Sequence, residues 1–172
     1  TNIFISYRRS DSPAEAGRIR DRLESRFGRG TVFFDVSDIR PGEDFKEVID
    51  LKITKASALL VVVGPLWHAR LAGPLADGEI DFVRYEIKKG LEFGVPIIPV
   101  LLKGVEKIDA AVLPSEVKPL VWRQSVRVSH ESFEKDMESI ISAVVERERE
   151  IKARQKRRRW SWLDRAGALL LG

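Results

Sequence analysis

Cysteine is absent from the 172 residues. That removes thiolate nucleophiles, cysteine-bound zinc and disulfide staples, and it leaves a reducing compartment open to the chain, so a cytoplasmic location is expected. Histidine is scarce. His68 and His130 are the two present, and they stand in no metal-ligand spacing, so no metal site is expected. Glycine-rich phosphate loops are missing as well: no G-x-G-x-x-G follows the first apolar run and no G-x-x-x-x-G-K-[ST] occurs anywhere, which excludes a dinucleotide fingerprint and a Walker loop. A phosphate-accepting receiver would need an Asp at the end of the central strand, and that run ends Val63-Gly64-Pro65. No signal peptide is expected, because the apolar run Ile3–Ile5 has no charged segment before it.

What remains is a one-domain composition, 44% hydrophobic and 33% charged. The net charge of +4 is concentrated at one end. Residues 147–159 hold eight basic and two acidic side chains, or +6, which leaves −2 on everything else. A nucleic-acid groove in the body is therefore not expected. The chain divides into a domain at 1–146 and a basic extension at 147–172, read as a helical extension, a linker or a juxtamembrane segment. Trp160–Gly172 (WSWLDRAGALLLG) falls short of the roughly twenty apolar residues of a span. Two Trp and a Leu-rich end after a basic run still fit three partners: a membrane surface, a further domain or a partner subunit.

Apolar runs and helical stripes alternate. Ile3–Tyr7, Thr31–Asp35, Ala58–Val63, Pro96–Leu102 and Leu120–Trp122 read as strands. Helices are expected at 13–27 (inward Ala16, Ile19, Leu23, Phe27), 44–55 (inward Phe45, Val48, Ile49, Ile53), 79–93 and from a Ser129 cap onward, with a short one at 112–117. In the last long helix Phe133, Met137, Ile140, Ile141, Val144 and Val145 face inward. The run ALLVVV is apolar on both faces and belongs at the sheet centre. This pattern predicts a flavodoxin-like, doubly wound α/β fold: a five-stranded parallel sheet with helices on both faces. Ligands of such sheets sit beyond the carboxyl ends of the strands, which points to the loops 6–11, 35–44 and 64–78.

Four stretches, in this order and spacing, resemble the Toll/interleukin receptor homology (TIR) domain, especially its bacterial members. They are IFISYRRSD (3–11), FDVSDIRPGED (34–44), the central strand 58–64 and FVRYEIKKGLEFGVPIIP (82–99). The resemblance implies self-association through Asp38, Ile39, Arg40, Pro41 and Gly42 in the loop after the second strand. In many members it also implies cleavage of NAD+ at the nicotinamide N-glycosidic bond, with NAD+ as substrate, no cofactor and a role in defence signalling. The catalytic residue of those members is a Glu in an aromatic-x-x-x-Glu pattern, which here is Glu86. Many active members carry Trp four positions earlier; this chain has Phe82, which keeps a ring but lacks the indole donor.

Helical phase gives Glu86 a reading of its own. Ile80, Val83, Ile87, Gly90 and Leu91 form one stripe, and Phe82, Glu86 and Phe93 flank it, so the carboxylate is expected at the edge of the buried face. Partial desolvation there favours functional use. The alternative is a boundary carboxylate paired with Arg84 or Lys89. Tyr7, Arg8 and Arg9 either contact substrate or form a solvated strand end. Asp35 and Arg40 are candidate substrate contacts of the same loops, and Arg40 equally belongs to the Pro41-Gly42 turn. Trp67 either stacks on nicotinamide or adenine, or packs over a core edge.

Overall fold

The computed structural model describes residues 1–34, 39, 41–73 and 80–169, with side chains as far as 157. Among these, five parallel strands form one sheet in the order β2-β1-β3-β4-β5. The strands are β1 (Ile3–Ser6), β2 (Val32–Phe33), β3 (Ala58–Val63), β4 (Ile97–Leu101) and β5 (Val126–Arg127). Helices α1 (Pro13–Phe27), α2 (Phe45–Thr54), α3 (Trp67–Ala72), α4 (Phe82–Glu92) and α5 (Phe133–Leu169), with a 3-10 helix at Ser115–Trp122, connect and cover them. The flavodoxin-like expectation holds.

Local chemistry sets the helix starts. Asp44 accepts the N–H groups of Lys46 and Glu47 at 2.8 and 3.3 Å, Asp81 accepts that of Arg84 at 3.1 Å, and Pro13 opens α1 where a missing N–H costs nothing. Strand alternation then builds two cores. Ile3, Ile5, Ala58, Leu60 and Val62 face one layer with α1 and α5. Phe4, Leu59, Val61 and Val63 face the other, with α2, α3 and α4. All six side chains of β3 are buried, as a strand covered on both faces requires.

Gly90 lets α4 lie close on the sheet. A Cβ there would stand 2.5 Å from Leu59 Cδ2 and 3.2 Å from Ile97 Cδ1. Gly90→Ala gains about 1 kcal/mol of helix propensity but forces the core apart, which costs about 1–3 kcal/mol, so a net loss of about 1 kcal/mol is expected. A fall in the urea midpoint with unchanged slope is the measurement, and an unchanged or raised midpoint contradicts the packing described.

Several elements differ from expectation. The triplet Leu120–Trp122 is the end of the 3-10 helix, not a strand, and the fifth strand is Val126–Arg127. The short helix expected at 112–117 is displaced to the same 3-10 segment. The long loop after β3 contains α3, whose Trp67 and Leu71 are buried. Helix α4 starts at Phe82, capped by Asp81, rather than at 79. Phe45 is exposed rather than inward. Phe93 is likewise exposed and follows α4 instead of flanking its buried stripe. Helix α5 runs through residue 146 into the basic extension without a break.

Candidate functional site

Strands β1 and β3 are neighbours from which the chain leaves in opposite directions, to β2 on one side and β4 on the other. Their carboxyl ends are the switch point of the sheet, where ligands of this architecture are received. Helix α4 arrives there head first: its capping residue Asp81 takes the Arg8 guanidinium at 2.5 Å, directly after β1. The pair is sheltered, with Arg8 14% and Asp81 5% exposed. Arg8 Nε is buried beside it without a protein partner.

Glu86 lies one turn further along α4 and is buried, at 7% exposure. It is thus deeper than the edge position expected from phase. Of the cations in its alternative reading, Arg84 forms an ion pair with Glu116, and Lys89 reaches Glu92 at 3.0 Å. Phe82 is half-buried and meets the Phe45 ring edge-on, with centroids 5.2 Å apart. Phe45 is 38% exposed, so an aromatic surface does stand at the head of α4.

Trp67 is not that surface. It is fully buried in the core under α4, so it offers no face to a ligand, and its Nε1–H has no partner. Tyr7 also turns away. By strand alternation it follows Ile3 and Ile5 to the opposite layer, where it stacks on Phe34 at 4.6 Å. Arg8, one residue on, faces α4; Arg9 is exposed. Asp35, Asp38 and Arg40 lie outside the described residues. Ile39 is half-buried against the α4-side core, and Pro41 and Gly42 are exposed. His68 accepts the Asp109 N–H on Nε2 at 3.0 Å. Burial lowers its pKa, in keeping with a neutral acceptor that holds a loop.

Four residues of this neighbourhood escape the sequence reading as site residues. Asp81 carried a signal, an acidic cap ahead of an apolar run. Phe45 carried none beyond its ring. Tyr85 and Asp50 are joined only in three dimensions: the phenol donates to Asp50 Oδ1 at 2.8 Å and ties α4 to α2, the helix that follows the loop at 36–42. Burial first, then that bond, push the phenol up to about 12. A raised phenol pKa favours the protonated folded state, so this stability is complete below about pH 10 and is lost as pH climbs through about 12. Asp50→Ala is expected to bring one of the two tyrosines back toward its ordinary range in an ultraviolet titration, and two unshifted curves would contradict the link.

The comparisons agree with this fold. Two structures of a metazoan TIR-STING receptor from C. gigas, one in complex with 2',3'-cGAMP, are each 24% identical and cover 83% of this chain, with TM-scores of 0.53 and 0.52. The chain spans 38% and 39% of those receptors. The TIR domains of the activated Roq1 resistosome, which recognises the effector XopQ, are 12% identical over 83% of this chain and 98% of theirs, with a TM-score of 0.61. At these identities the likeness is one of fold. The TIR domain family model matches residues 3–141, most of the chain, and the chain therefore belongs to the TIR domain family.

Proposed function

We propose that this domain cleaves NAD+ at the nicotinamide N-glycosidic bond, with Glu86 as the catalytic residue. The observation that carries the reading is a carboxylate buried one turn into α4, the helix whose capping residue makes the sheltered Arg8–Asp81 pair at the switch point of the sheet. Nicotinamide leaves as a neutral ring from a cationic linkage, so no strong acid has to expel it. The demand falls on the sugar, which becomes oxocarbenium-like. A carboxylate that accepts the ribose hydroxyls and is shielded from water stabilises that charge more than it stabilises the ground state. The buried Nε–H of Arg8 is suited to a substrate oxygen, and the Phe45–Phe82 pair supplies the ring surface that Trp67 does not.

Activity rests on assembly, in which the loop at 36–42 of one subunit completes the site of the next. The protein then acts in defence signalling as an enzyme that is quiet when dilute. The test is nicotinamide release from NAD+ across protein concentration. A rate per subunit that rises with concentration supports the reading, and no release at any concentration removes it.

A second reading is a non-catalytic module that nucleates complexes through TIR contacts. Pro41 and Gly42 favour it, since both are exposed and Gly42 holds φ +91°, a conformation costly to other residues. Under that reading, Gly42→Val abolishes self-association while Glu86→Ala leaves it intact and changes no chemistry. The extension 147–172 reaches a further domain, a partner subunit or a membrane surface in either case. Among the described residues no helix is long and apolar enough to cross a membrane.

A further inference from the structure

A cleft of about 580 Å³ opens beyond the carboxyl ends of β3, β4 and β5. It lies against α1 and α5, on the face of the sheet away from Glu86. Its volume is that of a small-molecule site. Leu102, Val128 and Phe133 give it a buried apolar floor.

The polar side begins with Ser12. This residue occupies the capping position of α1, but its side chain makes no cap bond. It is 1% exposed, lines the cleft, and its Oγ has no partner. An idle buried hydroxyl costs free energy, so its retention points to a ligand that completes it. Pro13 contributes no N–H, which leaves Ala14 and Glu15 to present the first free amides of a 15-residue helix. Further along α1, Arg18 lies 3.7 Å over the Phe133 ring and reaches His130 Nδ1 at 3.0 Å. Lys103 also lines the cleft and reaches Glu131 at 3.3 Å.

Two carboxylates are also present. Asp11 uses Oδ1 to accept the Leu66 N–H at 2.9 Å, while Oδ2 is buried without a partner and lodged against Gly64, where a Cβ would meet it at 2.4 Å, so the carboxylate is turned to the β3 side of the cleft. Glu15 is exposed and screened by solvent. The donors that α1 and its cap bring to the cleft are a hydroxyl, two amides and a guanidinium.

We infer that this cleft binds a nucleoside monophosphate, with the phosphate at the head of α1 against Ser12 and Arg18 and the base on the apolar floor. The site is separate from Glu86, and the inference stands without the proposed cleavage activity.

The probe is AMP, titrated calorimetrically into the full chain, with adenosine and inorganic phosphate as its two halves. Proton–carbon spectra follow the rings of the two histidines. Saturable AMP binding that shifts His130 and leaves His68 unmoved is expected. Arg18→Glu should weaken it by about tenfold through loss of a charge-assisted contact. Ser12→Ala should weaken it several-fold without lowering the melting temperature, because the hydroxyl caps nothing and its removal relieves an unmet buried group. Glu86→Ala should bind as wild type does. Absence of AMP binding overturns the inference, as does binding that Glu86→Ala abolishes while Arg18→Glu and Ser12→Ala preserve it, which would place AMP at α4. Phosphate binding as tight as AMP would overturn the role of the floor.

Discussion

Glu86→Gln is expected to lower the maximal rate of nicotinamide release from assembled protein by about a hundredfold or more, with KM little changed. The exchange keeps the volume and one acceptor oxygen, and it replaces the other oxygen and the charge with a neutral NH2 donor. A group that binds substrate and transition state alike would raise KM instead, whereas a group that opposes a developing sugar cation acts at the barrier. The carboxylate is 7% exposed, so water does little to dilute its field. Self-association should persist, because Glu86 is buried within the domain. The measurement is initial rate against NAD+ at a protein concentration where wild type is fully assembled. Equal rates in wild type and variant, with assembly intact, would leave the domain a scaffold.

The second large effect is on stability. Asp81→Ala strips the cap from α4 and leaves Arg8 sheltered and unpaired, for a combined loss of about 3 kcal/mol. In a chain of this size that lowers the melting temperature by about 10 °C. Arg8→Ala removes the other partner and should cost somewhat less, since Asp81 keeps the Arg84 amide at 3.1 Å. Because the two residues touch, the double variant should fall short of the summed losses by about 1 kcal/mol or more. Thermal and urea unfolding of the three variants measure this. Strict additivity would mean that the contact at 2.5 Å does not couple β1 to α4.

The architecture was legible where periodicity was long or unambiguous. ALLVVV could only be a doubly covered strand, and the stripe from Phe133 to Val144 could only be a helix face. Short elements were not. Leu120-Val121-Trp122 has the composition of a strand, but it follows Pro119 within a tight helical turn, while Val126–Arg127 is two residues with no period to read. Helix α3 has six residues and hides Trp67 inside what looked like a loop. Around the site, helical phase put Glu86 at the margin of the buried face. Its full shelter is set by α4 meeting the end of β1, a tertiary fact. The alternation of β1 already separated Tyr7 from Arg8, but which of them faced α4 depended on the side of the sheet that helix covers.

The doubly covered central strand has a consequence for motion. Its six residues are shut from water above and below by side chains, with hydrogen-bonded neighbours on either side. Deuterium should therefore reach the backbone of Leu60 and Val62 only when the whole domain opens. The short outer strands β2 and β5, two residues each, should take up label through local fraying. The molecule then labels in two tiers, a centre that reports global stability and a periphery that reports its own.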